Sequence, residues 1–280
     1  MTEPSRTART GAWSSALSTN DFAATRAMGL QPLAFVQGCS VVSWGFLGAG
    51  APGARGYYEQ FPCPHGFVSA DHRLYGYNYE QTWLEEAWFG GLRAAYDRLL
   101  DEARRYEAHG VIGVSARVER LAAPPAVEFS LSGTAVALEG SAAPGAPFTT
   151  FLAGQKLRKL VEAGFAPVAI AVGFASVGVL ASCVTEYQLR GVGTVTYGAA
   201  PVGEIDQLVR AHTQARALAR ERVRDQLGGD VLHAARLVVR EVEAAGGPQV
   251  EAELRGNRVR RFKDVEPLPP PRPVVRLVDR

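Results

Sequence analysis

Gly29-Leu-Gln-Pro-Leu-Ala-Phe-Val-Gln-Gly38 and Gly164-Phe-Ala-Pro-Val-Ala-Ile-Ala-Val-Gly173 carry Gly, Pro and Gly at the same spacing, 135 residues apart. Each follows a short helix-like stretch, Asn20–Met28 and Gln155–Ala163, for which Thr19 and Thr150 are candidate N-caps. Working outward, Tyr96–Val114 aligns without gaps on Arg216–Ala234 at an offset of 120. Val127-Glu-Phe-Ser-Leu-Ser-Gly133 aligns on Val250-Glu-Ala-Glu-Leu-Arg-Gly256 at an offset of 123. Three blocks in one order, with slowly drifting offsets, read as a duplicated unit.

Each copy reads as a short helix, a strand pair, a long helix and two further strands. In the first copy Trp83, Leu84, Ala87, Trp88, Leu92, Ala95, Tyr96 and Leu99 recur at helical spacing, and Ile205, Leu208, Val209, Ala215, Leu218 and Ala219 do so in the second. The first helix is predicted over about Glu80 to Ala108, with a kink or break at Gly90-Gly91. Glu85-Glu86 and Asp101-Glu102 fall on its polar side and read as surface pairing, Asp101 with Arg105 for instance. Val111–Val118 and Val127–Leu138 alternate as half-buried antiparallel strands do. The expected class is α+β: two tandem domains, each a small antiparallel sheet packed on one long amphipathic helix. Their limits are a disordered arm at 1–18, a first domain at 19–139 with a loop insertion at 51–79, a linker at 140–148, a second domain at 149–264 and a Pro-rich tail at 265–280.

Composition bounds the function. The 280 residues are 47% hydrophobic and 21% charged, which excludes a wholly disordered chain. A net charge of +2 argues against nucleic acid as the partner of the chain as a whole. Three widely spaced cysteines cannot form a disulfide framework and fit a reducing, cytoplasmic setting. Gly164–Thr185 contains no charged residue and is long enough to span a bilayer. Its repeat partner, Gly29–Val42, contains Gln37, so both are expected to be buried strand pairs, broken at Gly173 in the second copy, with no membrane span.

Copy by copy the chain resembles the YbjQ-like family, whose label refers to heavy-metal binding. The likeness rests on the Gly-x-x-Pro blocks and on the helix-to-strand passage Ala95-Ala-Tyr-Asp-Arg-Leu-Leu-Asp-Glu-Ala-Arg-Arg…Gly110-Val-Ile-Gly-Val114. It rests also on the strand Phe129-Ser-Leu-Ser-Gly-Thr-Ala-Val136 and, in the second copy, on Ala217-Leu-Ala-Arg-Glu-Arg-Val…Gly229-Asp-Val-Leu-His-Ala234 and Leu254-Arg-Gly256. The resemblance implies a dodecin-like α+β unit that assembles into rings, typically of five domains. In related chains a His can follow the strand glycine by a few residues. Gly38-Cys-Ser-Val-Val-Ser-Trp44 and Gly173-Phe-Ala-Ser-Val-Gly178 have none.

Candidate chemistry lies mostly outside the repeat. Cys63, His65 and His72 offer thiolate and imidazole donors within ten residues, suited to zinc or copper, against the plainer reading of a metal-free loop. Cys39 and Cys183 read as small buried residues, His109 and His233 as caps or packed side chains, and His212 as a helix-face residue. Arg255, Arg258, Arg260, Arg261 and Lys263 form a basic cluster that, repeated around a ring, would make a positive collar. Tyr57, Tyr58, Phe61, Phe67, Tyr75, Tyr77 and Tyr79 make the insertion a candidate protein-interaction surface, and the Pro-rich tail a candidate docking peptide. No nucleophile motif or phosphate-cradling glycine loop occurs. The leading expectation is a non-enzymatic homo-oligomer, with five chains stacking a ring of first domains on a ring of second domains. The alternatives are a metal-binding or metal-sensing module, and an enzyme with its site at a domain or subunit interface.

Overall fold

A computed structural model of the chain describes residues 14–43, 76–121, 126–142, 144–180, 185, 205–244 and 247–264. Cys63, His65, His72, Cys183, the insertion before residue 76 and the Pro-rich tail lie outside the described residues. Helix α1 (Thr19–Ala27) is capped by Ser18, whose Oγ accepts the Asp21 N–H at 3.2 Å, and not by Thr19. Thr150 caps no helix either, because Ala153 holds the N-cap position of α3 (Gly154–Glu162).

The two Gly-x-x-Pro blocks are single strands, not strand pairs. These are β1 (Leu30–Ser43) and β6 (Phe165–Leu180), and β6 runs unbroken through Gly173. The closing glycines are points of close approach. A Cβ on Gly38 would sit 2.0 Å from the Ala95 carbonyl oxygen, and one on Gly173 would sit 2.1 Å from that of Ala219. A bare strand lets the long helices α2 (Thr82–Arg105) and α4 (Asp206–Leu227) rest backbone on backbone. Both prolines mark a register shift, at Pro32/Ala34 and Pro167/Ala169, where a residue without an N–H is tolerated. Helix α2 is shorter than predicted and continuous through Gly90-Gly91.

The remaining strands are β2 (Tyr77–Glu80), β3 (Gly110–Leu121), β4 (Ala126–Leu138), β5 (Phe148–Thr149), β7 (Val231–Ala244) and β8 (Gly247–Arg261). The architecture is α+β. The described strands form two four-stranded sheets, in the orders β1-β4-β3-β5 and β2-β6-β8-β7. Gly38 pairs with Leu131 as Gly173 pairs with Leu254, and Val42 with Val127 as Val177 with Val250. A second register shift recurs, at Ile112/Ser115 in β3 and His233/Arg236 in β7. Matching contacts put the helices 124 residues apart (Ala95 with Ala219) and β3 and β7 121 apart (Gly110 with Val231). The ungapped offset of 120 is therefore four residues short along the helix. Four residues is close to one turn, so the apolar stripe survives the slip.

The halves are interleaved. β2 precedes α2 in the chain yet pairs antiparallel with β6, and β5 pairs in parallel with β3. Helix α2 covers the first sheet and presents Trp88 to the far face of β6, the face turned away from α4. The burial strings follow from this. β1 alternates buried and exposed, whereas residues 171–179 of β6 are all buried. Within the charge-free run, Phe165–Leu180 is extended backbone, covered on both faces from 171 to 179. No described helix is long and apolar enough to cross a membrane.

Gly38→Ala and Gly173→Ala should each lower stability by about 1–3 kcal/mol or more, because the helix must lift from the strand. Gly90 meets nothing within 4 Å of an added Cβ. Gly90→Ala should therefore raise stability by up to about 1 kcal/mol through helix propensity alone, and thermal denaturation of the three variants reads the contrast.

Candidate functional site

The buried polar chemistry gathers where the first half presses on the far face of the second sheet. Trp88, on the apolar stripe of α2, is the anchor. Its ring stacks on Phe174 of β6 at 4.5 Å between centroids and 6° between planes, and meets Phe129 of β4 edge-on at 5.5 Å. Offset aromatic contacts of this kind add to simple area burial.

Beside the stack lies an arginine–glutamate cluster. Period-two alternation on β8 sends Val250, Ala252 and Leu254 into the core under α4, and Glu251, Glu253 and Arg255 toward the first half. Glu251 is 1% exposed and is bridged by Arg120 from the end of β3. Its Oε2 makes no hydrogen bond and lies 3.4 Å from Arg240 Nε. Arg240 Nη2 is also 3.4 Å from Glu253 Oε2. Arg255 pairs with Glu253 and donates to the Ala116 carbonyl of β3 at 2.5 Å. Burial pushes the Glu251 carboxyl above its usual range, opposed by the charges of Arg120 and Arg240. Trp88, Val118, Arg120, Val127, Arg240 and Glu251 enclose a cavity of about 200 Å³. That is smaller than the usual site for a drug-sized ligand.

The second group sits at the start of α2. Glu85 is 3% exposed and not on a polar helix face as its sequence context predicted. Its Oε1 accepts the Ser176 N–H at 3.1 Å, and its Oε2 lies 3.2 Å from Arg222 Nη2 of α4. Gln81 donates its backbone N–H to the Ser176 carbonyl at 2.8 Å and accepts the Ser176 hydroxyl through Oε1, also at 2.8 Å. Arg222 also pairs with Glu80. Desolvation raises the Glu85 pKa to about 6, against the lowering effects of Ser176 N–H and Arg222 and with a further push up from Glu80. Glu85 follows Leu84 and precedes Trp88 by three residues, so it borders the apolar stripe. That position was the available signal of burial.

The predicted residues are scattered by comparison. Alternation splits the basic cluster between the two faces of β8. Arg255 turns inward as described, Arg258 and Arg260 clamp Asp230 at 2.5 and 2.9 Å, and Arg261 pairs with Asp264 at 2.7 Å. Those two arginines hold the Asp230 carboxyl down to about 2. Asp101 pairs with Arg104, not Arg105. Cys39 is exposed, because it sits on the outer face of an edge strand rather than in the core. His109 is buried, with Nδ1 accepting the Leu138 N–H at 3.3 Å and Nε2 unbonded, and His212 Nε2 is 2.8 Å from Glu241. Among the described residues no group of three or more His, Cys, Asp or Glu is arranged to hold a metal ion.

Over 226 residues the chain is 27% identical to the protein named encapsulin nanocompartment protein Rv1762c of Mycobacterium tuberculosis (strain ATCC 25618 / H37Rv), covering 78% of this chain and 73% of that one. No family model matches the chain, and no solved structure matches it.

Glu85 supplies a pH test. Its folded pKa of about 6 lies above the ordinary value of 4.5, so the folded state holds the proton more tightly. The associated stability is complete below about 4.5 and is lost as pH rises through 6. The loss is about 2 kcal/mol. Glu85→Gln should remove that slope, leaving the difference in unfolding free energy between wild type and variant to change by this amount between pH 4 and pH 7.

Proposed function

We propose that the protein is a non-enzymatic structural component that assembles with copies of itself into closed rings. The observation that carries this reading is the likeness to a nanocompartment protein, spread over most of both chains rather than confined to one motif. A compartment is built from repeated copies, and repeated head-to-tail contacts either close into a ring or run on as a filament. The chemistry of the cleft supports the same reading. Glu85, Glu251 and Glu253 are each engaged by arginines, and the cavity beside them is small. Groups so committed dock one half on the other and offer little to a substrate. The described surface also carries large exposed apolar side chains, Val41, Val209, Val231 and Phe262 among them, of the kind that subunit contacts cover.

Native mass spectrometry of the purified full chain is the direct test. The expected mass is a multiple of 30.0 kDa. Five chains would weigh about 150 kDa. A particle of one chain at all concentrations would overturn the proposal.

A further inference from the structure

The two halves present the same framework, but among the described residues the outward side chains at 35, 37, 39 and 41 of β1 are exposed, whereas those at 172, 174 and 176 of β6 are buried. Superposing the repeats by their shared register makes this specific. Ser176 of β6 corresponds to Val41 of β1, and the N-cap of α2, Gln81, corresponds to the N-cap of α4, Ile205. Glu85 then corresponds to Val209. Within the chain Gln81 and Glu85 seat on the outer edge of β6 at Ser176, binding its carbonyl and its N–H. The corresponding edge of β1 is only partly capped. Glu102 of α2 takes the Gln37 N–H at 2.5 Å and Arg98 reaches the Cys39 carbonyl, as Gln226 caps Val172 in the second half. The next outward-facing backbone pair, at Val41, has no partner among the described residues, and its side chain is 59% exposed. The counterpart of Glu85, Val209, is 45% exposed.

We infer that a second copy of this chain occupies the Val41 edge with the first turn of its α4, placing Ile205 and Val209 on Val41 as Gln81 and Glu85 are placed on Ser176. The partner's chemistry is fixed by the difference between the two seats. Where Ser176 meets a carboxylate and an amide, Val41 meets two aliphatic side chains, so both sides of the seat change from polar to apolar together. The aromatic anchor does not recur, since Trp88 and Phe174 correspond to His212 and Cys39. Nor does the Arg120–Glu251 pair, whose places fall to Glu241 and Glu128. The Val41 seat is therefore the centre of the contact. The arrangement alternates first and second halves around one ring, so a closed particle contains an even number of halves and no stacked pair of rings. The inference rests on the self-assembly reading above and adds the surface that performs it.

The contact is head-to-tail, which permits a test by complementation. Val41→Lys destroys the acceptor edge and leaves α4 intact, and Val209→Lys does the reverse. Light scattering coupled to size exclusion should find each variant alone at the mass of one chain, with a wild-type circular dichroism spectrum. An equimolar mixture should form a two-chain complex, about 60 kDa, through the one intact seat that each pair retains. The variants probe the seat from opposite sides, so misfolding of one leaves the other informative. Either folded variant keeping the wild-type particle mass, or two folded variants failing to pair, overturns the inference while self-assembly stands. A single-chain wild type overturns both.

Discussion

Burial of β6 on two faces is the constraint from which the molecule is built. A strand hidden on both sides needs two covers, and its own helix α4 supplies only one. The second comes from the other half of the chain, through Trp88 and the start of α2. Once that half is in place, carboxylates on the same face of the sheet lose their water. Glu251 and Glu253 then require arginines within reach, and Arg120, Arg240 and Arg255 provide them. An unpaired charge there would cost several kcal/mol. Close packing and charge matching thus act on one docked geometry.

Among the described residues, the same framework in the first half leaves the outward face of β1 without such a cover. β1 keeps strict alternation of buried and exposed side chains, with Gln37, Cys39 and Val41 outward, whereas the matching residues of β6 are Val172, Phe174 and Ser176. On one shared framework, the change of outward residues from Gln37, Cys39 and Val41 to Val172, Phe174 and Ser176 goes with a strand buried on both faces. The exchange of β2 and β5 between sheets ties the halves further, so each half contributes backbone pairing to the other.

Much of this was legible in the chain. Gly-x-x-Pro-x-x-x-x-x-Gly, read twice, located the two matching strands β1 and β6, and the lack of charge from 164 to 185 marked a strand without a wet face. The glycines misled in one respect. Gly173 was read as a break between two strands, yet it and Gly38 clear space for a helix backbone. Polar pairing was hardest to see. Arg120 and Glu251 are 131 residues apart, and no spacing rule joins them. Glu85 resembled a surface carboxylate because only the second sheet, absent from any local window, takes it out of water. Arg258 and Arg260 resembled an open patch until the alternation of β8 turned them onto Asp230.

The paired register shifts in β3 and β7 are held in different ways. At the shift the backbone turns to positive φ, at Gly113 in one copy and at Ala234 in the other, with φ of 61° and 52°. Glycine accepts that conformation freely, while alanine carries a penalty of roughly 1–2 kcal/mol. The second half follows the same backbone path with a residue that suits it less well. What holds the path there is a side chain: Asn257 donates to the His233 carbonyl, and its Oδ1 accepts from Thr150 and Phe151, which follow β5. Long-range tethering there offsets an unfavourable local conformation, so one side chain ties the shape of β7 to residues 150 and 151.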